Sequence, residues 1–308
     1  MKLYLDSNIY DAIVKATEVG AVRRWLRASG HRVEASLEAN VVEALRAPAP
    51  LRAQLVAATT SIGLMAYPPR DYAHYREVTG ELARLRPDWF VSPLDSRRRA
   101  LYLRGRKRVW STWRTNPAYV PTDIDVQNLR IQQLVAVDIA RQKKKDHGIE
   151  PGTRHTDAAV QACIDAHMPT ERHWRYASSN EVRVSIEAEL HRGGQLEWLT
   201  GFVMPMSRVA WDRFWMCDAD AAAMPLSRII GQVEFFQRQR KVTAGNPMDR
   251  FGHAPYLVGF DRLLTRDATF FKLLGDVVAE FPAGTLATPV LVGHTVPVLD
   301  AIRAALGE

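Results

Sequence analysis

Four acidic residues, Asp6, Glu43, Asp249 and Asp267, stand where their carboxylates can bind a divalent cation together. Four ionised carboxylates repel one another unless a cation compensates their charge. Oxygen-only ligand sets suit Mg²⁺ or Mn²⁺ rather than zinc. The residue types therefore predict a site for one of these two ions, provided that the fold brings the four side chains to one place.

The sequence around these acids predicts short strands that end beside them. Leu3-Tyr4-Leu5 is a buried strand by its apolar run and ends at Asp6, and a second strand around Val33–Ala35 precedes the helix that carries the second acid. A strand over Phe260–Thr265 ends just before the fourth acid. Ligand crevices lie at the carboxyl ends of the strands in open parallel sheets. We therefore expect the acids to meet at that edge.

Strands and helices alternate at both ends of the chain. After the first strand we predict one helix broken at Gly20 and another closed by Gly30. Near the C-terminus we predict a helix that Asp249 opens and that runs through Tyr256 and Leu257. Helices over 268–278 and 298–306 and a strand over 288–292 complete the pattern. The alternation predicts an α/β fold with three layers around a central parallel sheet.

The middle of the chain is rich in arginine and tryptophan and has the periodicity of amphipathic helices. We therefore predict a discontinuous core formed by residues 1–65 and 231–308. A basic, mostly helical insertion at residues 66–230 interrupts it. The hydrophobic core of the insertion is expected to contain four aromatic side chains: Trp198, Trp211, Phe214 and Trp215.

The charge balance favours a polyanionic partner. Lys and Arg number 41 against 34 Asp and Glu, which gives a net charge of +7. Between Arg97 and Arg114 there are eight basic residues and no acid, with Trp110 and Trp113 among them. Such a segment can follow a phosphate backbone while the tryptophans stack on bases. Alternatively, it is a solvated helix face whose aromatic side chains pack inward.

The composition is that of an ordinary soluble globular protein, with 47% hydrophobic and 24% charged residues. We find no apolar stretch long enough for a transmembrane helix, and Asp6 interrupts the N-terminus too early for a signal peptide. Cys163 and Cys217 are too few for a disulfide framework, which favours a reducing compartment. We therefore expect a cytoplasmic protein without membrane contact.

The segments around the acids resemble the motifs of PIN-domain nucleases. Tyr4–Tyr10 is similar to the opening of that family, and Ser36 with Glu43 is similar to its second acidic motif. Asn246–Tyr256 followed by Asp261–Asp267 resembles the third and fourth motifs. The resemblance covers the two ends of the chain and leaves the predicted insertion unmatched.

This resemblance implies a metal-dependent endoribonuclease. Asp6, Glu43, Asp249 and Asp267 would hold one or two Mg²⁺ or Mn²⁺ ions, which position a water and stabilise charge on the attacked phosphate. No side-chain nucleophile is required. RNA, single-stranded or structured, is the implied substrate, and DNA is the variant that the same chemistry permits. A toxin with its antitoxin, an RNA-processing enzyme, a defence nuclease and a homo-oligomer all remain open.

Two residues compete for the role of third acid. Thr153–Asp165, with Asp157, resembles the helix that carries this acid in many relatives. No Thr-x-Asp strand ending follows it, however, and we prefer Asp249. His253 stands four residues after Asp249, where a structural or substrate-contacting role is favoured over a zinc pair. Thr265 is a candidate for fixing a carboxylate, a water or the backbone turn.

A simpler explanation exists for each acid taken alone. Asp6, Asp249 and Asp267 each stand where an aspartate can cap a helix, and Glu43 can be a solvated helix residue. Asp261 either supports the acids or begins a strand. The rival function is therefore a non-catalytic module that binds nucleic acid or a protein partner. The nuclease requires the four carboxylates to converge, whereas the non-catalytic module does not.

Overall fold

The computed structural model of the chain describes residues 1–66, 68–89, 96–120, 155–192, 207–240, 252–295 and 297–308. These residues form two compact units. The first comprises Met1–Arg70 and the described parts of Arg106–Lys145 and Phe236–Glu308, and the second comprises the described parts of Asp71–Gly105 and Asp146–Phe235. The predicted boundaries at 65/66 and 230/231 stay a prediction.

The first unit contains a sheet of five described strands, all parallel. They are β1 (Lys2–Leu5), β2 (Arg32–Ala35), β3 (Leu64–Met65), β4 (Arg262–Thr265) and β5 (Thr288–Leu291), in the order β3-β2-β1-β4-β5. β1 is the central strand, so the N-terminal and C-terminal segments are neighbours in the sheet. The predicted α/β fold with a central parallel sheet is confirmed. The two-residue edge strand β3 was not predicted.

Helices make up most of the remaining described chain. In chain order they are α1 (Ser7–Lys15), α2 (Val19–Ser29), α3 (Val42–Leu45), α4 (Ala49–Ile62), α5 (Arg70–Leu85), α6 (Ser96–Thr115), α7 (Ala158–Ala166), α8 (Pro169–Arg192), α9 (Arg208–Arg213), α10 (Pro225–Arg238), α11 (Ala268–Ala279) and α12 (Val298–Leu306). A π-helical turn (Leu37–Val41) leads directly into α3. Within the described ranges, no helix is long and apolar enough to cross a membrane.

The turn between α1 and α2 differs from the prediction. The break was predicted at Gly20, but Gly20 lies in the first turn of α2, and α1 already ends at Lys15. Thr17 takes a left-handed conformation there, with φ of 58°. The Glu18 carboxylate accepts the first two backbone N–H groups of α12 at 2.9 and 2.8 Å, which holds the turn in place. The predicted closure of α2 by Gly30 is confirmed, since Gly30 has φ of 70°.

The predicted helix that runs through Tyr256 and Leu257 is helical in its described part, but it is not a regular α-helix. The structure has a short 3₁₀ turn, Ala254–Leu257, with a proline in its first two positions. Gly259 follows with φ of 82°, a conformation that a continuing helix does not allow. Asp249, the predicted start of this helix, lies outside the described residues.

The core of the second unit is aromatic, as predicted for three of its residues. Trp211, Phe214 and Trp215 are buried together with Trp174, and Trp211 and Phe214 lie in ring contact with Trp89. Trp198 lies outside the described residues.

The aromatic side chains of the basic segment pack inward, which is the second of the two alternatives for this segment. Trp110 and Trp113 on α6 are buried in the core of the first unit. These two tryptophans are therefore not available to stack on bases.

The two cysteines are paired, which corrects the expectation drawn from their number. Cys163 on α7 and Cys217 in a π-helical turn (Phe214–Asp218) form a disulfide, with their Cα atoms 5.5 Å apart. The pairing arises because α7 packs against this turn within the second unit. A low cysteine count thus gives no support for a reducing compartment.

A close helix contact in the second unit generates a stability prediction. A Cβ atom on Gly231 of α10 would lie 2.4 Å from the Cβ atom of Trp174, whereas one on the exposed Gly80 of α5 would meet nothing within 4 Å. We expect Gly231→Ala to lower the free energy of unfolding by about 1–3 kcal/mol through overpacking. Gly80→Ala should raise it by up to about 1 kcal/mol through helix propensity. Urea unfolding measures both, and equal stability of the two variants would contradict the packing.

Candidate metal centre

Three side chains of the first unit converge at the carboxyl end of the sheet: Asp6, Glu43 and His253. One ligand atom of each lies within 4.8 Å of the others. Nε2 of His253 is 3.5 Å from Oδ1 of Asp6 and 3.3 Å from Oε2 of Glu43. Among the described residues, the structure thus brings together two of the four predicted acids, and the third member is a histidine.

Strand pairing places Asp6 and orients its carboxylate. Asp6 directly follows β1, and its backbone N–H donates to the carbonyl of Leu264 in β4 at 2.9 Å. This pairing puts Asp6 beside Thr265, whose hydroxyl donates to Oδ2 of Asp6 at 2.6 Å. Asn8 donates to the same oxygen at 2.6 Å. Oδ2 is therefore held by two neutral donors while Oδ1 faces His253. The predicted role of Thr265 in holding a carboxylate agrees with this contact.

The π-helical turn before α3 positions Glu43. Ser36 caps this turn by accepting the N–H of Ala39 at 3.0 Å. Asn40 then ties the turn to the sheet, because its amide donates to the carbonyl of Leu5 at 3.0 Å and its oxygen accepts the N–H of Ser36 at 2.8 Å. Such π-helical turns occur often at functional sites. Glu43 follows on α3 at the same end of the sheet as Asp6.

Aromatic residues fix the orientation of His253. Its Nδ1 and the Tyr4 hydroxyl form a hydrogen bond of 2.8 Å, and the imidazole is almost fully buried, at 2% exposure. The Tyr4 ring stacks on Tyr256 at 4.3 Å, and Tyr256 donates to the Ser36 hydroxyl at 2.8 Å. Because Nδ1 is engaged by Tyr4, Nε2 is the nitrogen that faces the carboxylates. Metal-binding histidines commonly have their second nitrogen held in this way.

The two carboxylates differ in how readily they ionise. Burial raises the pKa of Asp6, against the opposing effects of the positive charge of His253 and the bond from Thr265. Burial also acts to raise the pKa of Glu43, but His253, a bond from Ser7 and the charge of Arg46 outweigh it and lower that pKa to about 2. The negative charge of Glu43 also raises the pKa of Asp6. A bound cation would relieve this repulsion.

The fourth predicted acid, Asp267, caps a helix. Its Oδ1 accepts the N–H groups of Thr269 and Phe270 at the start of α11, at 2.7 and 3.0 Å. The backbone N–H of Asp267 donates to the Thr265 hydroxyl at 3.0 Å, so Asp267 contacts the same hydroxyl that holds Asp6. It is not a member of the convergent group. Its role as a ligand, like that of Asp249 outside the described residues, stays a prediction.

The two alternative acids have structural contacts of their own. Asp157 caps α7 in the second unit by accepting the N–H groups of Ala159 and Val160 at 2.9 and 3.1 Å. Asp261 accepts the N–H of Lys2 at 2.6 Å, at the start of β1 and hence at the opposite end of that strand from Asp6. Neither belongs to the convergent group of the described residues.

The donor set of the convergent group fits a divalent cation. Two carboxylates and an imidazole are ligands of Mn²⁺ and of heavier first-row ions, whereas Mg²⁺ favours oxygen alone. The separations of 3.3 and 3.5 Å suit neighbouring donors of one ion with bonds of about 2.0–2.2 Å. The nitrogen donor departs from the oxygen-only set predicted from the sequence. It therefore shifts the preference from Mg²⁺ towards Mn²⁺ and the heavier first-row ions.

Comparisons of the chain with protein-family models, with curated proteins and with solved structures found no match. The resemblance to PIN-domain nucleases thus depends on the sequence motifs themselves. The parallel sheet and the meeting of Asp6 with Glu43 at its carboxyl edge are compatible with it.

Metal binding by this group is testable through thermal stability. Saturating Mn²⁺ at about 100 times its dissociation constant should stabilise the protein by about 2.7 kcal/mol, because the ion binds the folded state alone. We expect a higher melting temperature for the native protein but no change for Asp6→Asn or His253→Gln. Asp157→Asn, which keeps a capping side chain in the second unit, is the control. A Mn²⁺ response that survives in Asp6→Asn would place the ion elsewhere.

Proposed function

We propose that this protein is a PIN-like, metal-dependent endoribonuclease that hydrolyses phosphodiester bonds at the Asp6–Glu43–His253 group. The convergence of Asp6 and Glu43 at the carboxyl edge of the parallel sheet carries this proposal. Those two acids belong to the four that the sequence motifs assign to one site. The net charge of +7 supports a nucleic-acid substrate.

The residues of the site have distinct roles in this proposal. Asp6, Glu43 and His253 would hold Mg²⁺ or Mn²⁺, with Mn²⁺ the better fit to the imidazole. The ion supplies Lewis-acid stabilisation of phosphate charge and a more acidic bound water. Glu43, with its pKa near 2, stays anionic at neutral pH and keeps a negative charge at the site. Asn8 and Thr265 hold Oδ2 of Asp6 so that Oδ1 keeps its direction.

A second candidate function is favoured by one observation, the position of His253 between the two carboxylates. An imidazolium there compensates the charges of Asp6 and Glu43 without any metal. In this case the protein is a non-catalytic module that binds nucleic acid or a protein partner. The two functions differ in metal dependence, because the second predicts neither stabilisation by Mn²⁺ nor cleavage.

A cytoplasmic location and several partners belong to the same proposal. RNA is the proposed substrate, DNA is the alternative, and an antitoxin or a second copy of the chain stays a prediction.

The Cys163–Cys217 disulfide is the one observation against a cytoplasmic location, because cytosolic thiols are normally kept reduced. Thiol counting by mass spectrometry, after alkylation in intact cells, distinguishes the two compartments.

Cleavage of labelled single-stranded RNA tests the proposed activity. We expect cutting with Mn²⁺, weaker cutting with Mg²⁺ and none with EDTA. Asp6→Asn should lower the rate at least about 100-fold, because it removes a ligand charge. Thr265→Val, which removes the hydroxyl that holds Asp6, should cost about 10–100-fold, and Thr265→Ser should restore most of the rate.

The Asp157→Asn variant and a DNA strand of the same sequence complete this experiment. Asp157→Asn should cleave as the native protein does, because Asp157 caps α7 and does not belong to the convergent group of the described residues. Cleavage of DNA but not RNA would transfer the activity to the alternative substrate. Metal-dependent cutting of equal rate in Asp6→Asn would show a contaminating nuclease and contradict the proposal.

A further inference from the structure

The first unit contains a cleft of about 720 Å³ beside the metal centre. The cleft lies where α1, the start of α11 and the start of α12 meet. Its polar lining consists of Asn8, Asp11, Lys15, Arg266, Asp267 and His294. We call it the Arg266 cleft. Its volume is within the range of small-molecule sites and large enough for a nucleotide.

Hydrogen bonds join the Arg266 cleft to the metal centre. Asn8 lines the cleft, and its amide nitrogen donates to Oδ2 of Asp6 at 2.6 Å. The oxygen of the same amide accepts the backbone N–H of Arg266 at 3.0 Å. One side chain thus fixes both the candidate ligand Asp6 and the residue that gives the cleft its charge. The cleft and the metal centre are therefore separated by a single side chain, that of Asn8.

The acids of the cleft are already engaged, whereas its arginine is not. Asp11 accepts from Lys15 at 2.6 Å, and Asp267 caps α11. Among the described residues, the Arg266 guanidinium has no hydrogen-bond or ion-pair acceptor, and its Nε is buried without a partner. His294 lines the cleft from an exposed position. A permanently charged guanidinium left with unused donors in a cleft is suited to an anionic ligand.

We propose that the Arg266 cleft binds the phosphate of a nucleotide next to the scissile bond, with Arg266 as the principal anion-binding residue. Its planar guanidinium binds phosphate oxygens through two parallel hydrogen bonds. Lys15 and His294 add donors at the sides, and Ala12, Ala16 and Val298 give an apolar wall for the sugar or base. This inference rests on the proposed function, since it takes the nucleotide to be part of the substrate strand.

Binding without metal tests the cleft separately from cleavage. The probe is a short fluorescent single-stranded RNA, measured by anisotropy in EDTA. We expect Arg266→Ala to weaken binding about tenfold and to lower the salt dependence by about one phosphate contact. Arg266→Lys, which keeps the charge but loses the paired donors, should fall in between. Arg27→Ala, on the exposed end of α2, is the control for net charge and should change affinity less than about twofold.

Each outcome has a definite meaning. Equal losses in Arg266→Ala and Arg27→Ala, with both variants folded by circular dichroism, would overturn the cleft as a specific site. Competition by inorganic phosphate as strong as by a 5′-phosphorylated mononucleotide would overturn its assignment to a nucleotide. Arg266-dependent binding without any cleavage would leave the cleft standing and remove the proposed nuclease. If cleavage depends on Asp6 but Arg266→Ala leaves RNA binding and KM unchanged, the proposed nuclease stands and the Arg266 cleft is overturned as a binding site.

Discussion

The parallel pairing of β1 with β4 is the constraint on which the site depends. These strands come from opposite ends of the chain, and their register sets Leu5 against Leu264. Asp6 directly follows β1, and Thr265 is the last residue of β4. As a result, the two residues lie side by side and are joined by a 2.6 Å hydrogen bond. Both the metal centre and the Arg266 cleft are built around this junction, so a change in register would remove both.

Burial and charge then determine the character of the site. His253 is held by Tyr4 on one side and faces two carboxylates on the other, and both His253 and Asp6 are buried. This environment raises the pKa of Asp6, while the same histidine helps to lower that of Glu43. The group therefore needs positive charge, which either an imidazolium or a divalent cation can supply. The two candidate functions differ in which of these is used.

Local pattern predicted four of the five described strands and placed Asp6 at the end of the first, because apolar runs and the residues after them are features of adjacent positions. Leu3-Tyr4-Leu5 with Asp6 and the strand ending at Thr265 are examples. His253 could not be assigned to the group, because its direction depends on Tyr4, which is distant in sequence. Asn40 gave no signal, since its amide acts through a π-helical turn that spacing does not reveal. The helix cap formed by Asp267 is one of the two roles that its position in the sequence allows.

The central claim is that Asp6, Glu43 and His253 hold one divalent cation. Pulsed electron paramagnetic resonance of the Mn²⁺-loaded protein tests it most directly, because an imidazole ligand adds a ¹⁴N modulation to the electron spin echo. The account predicts this nitrogen signal in the native protein and in Asp157→Asn, and its loss in His253→Gln. Absence of bound Mn²⁺, or bound Mn²⁺ whose nitrogen signal persists in His253→Gln, would contradict the account.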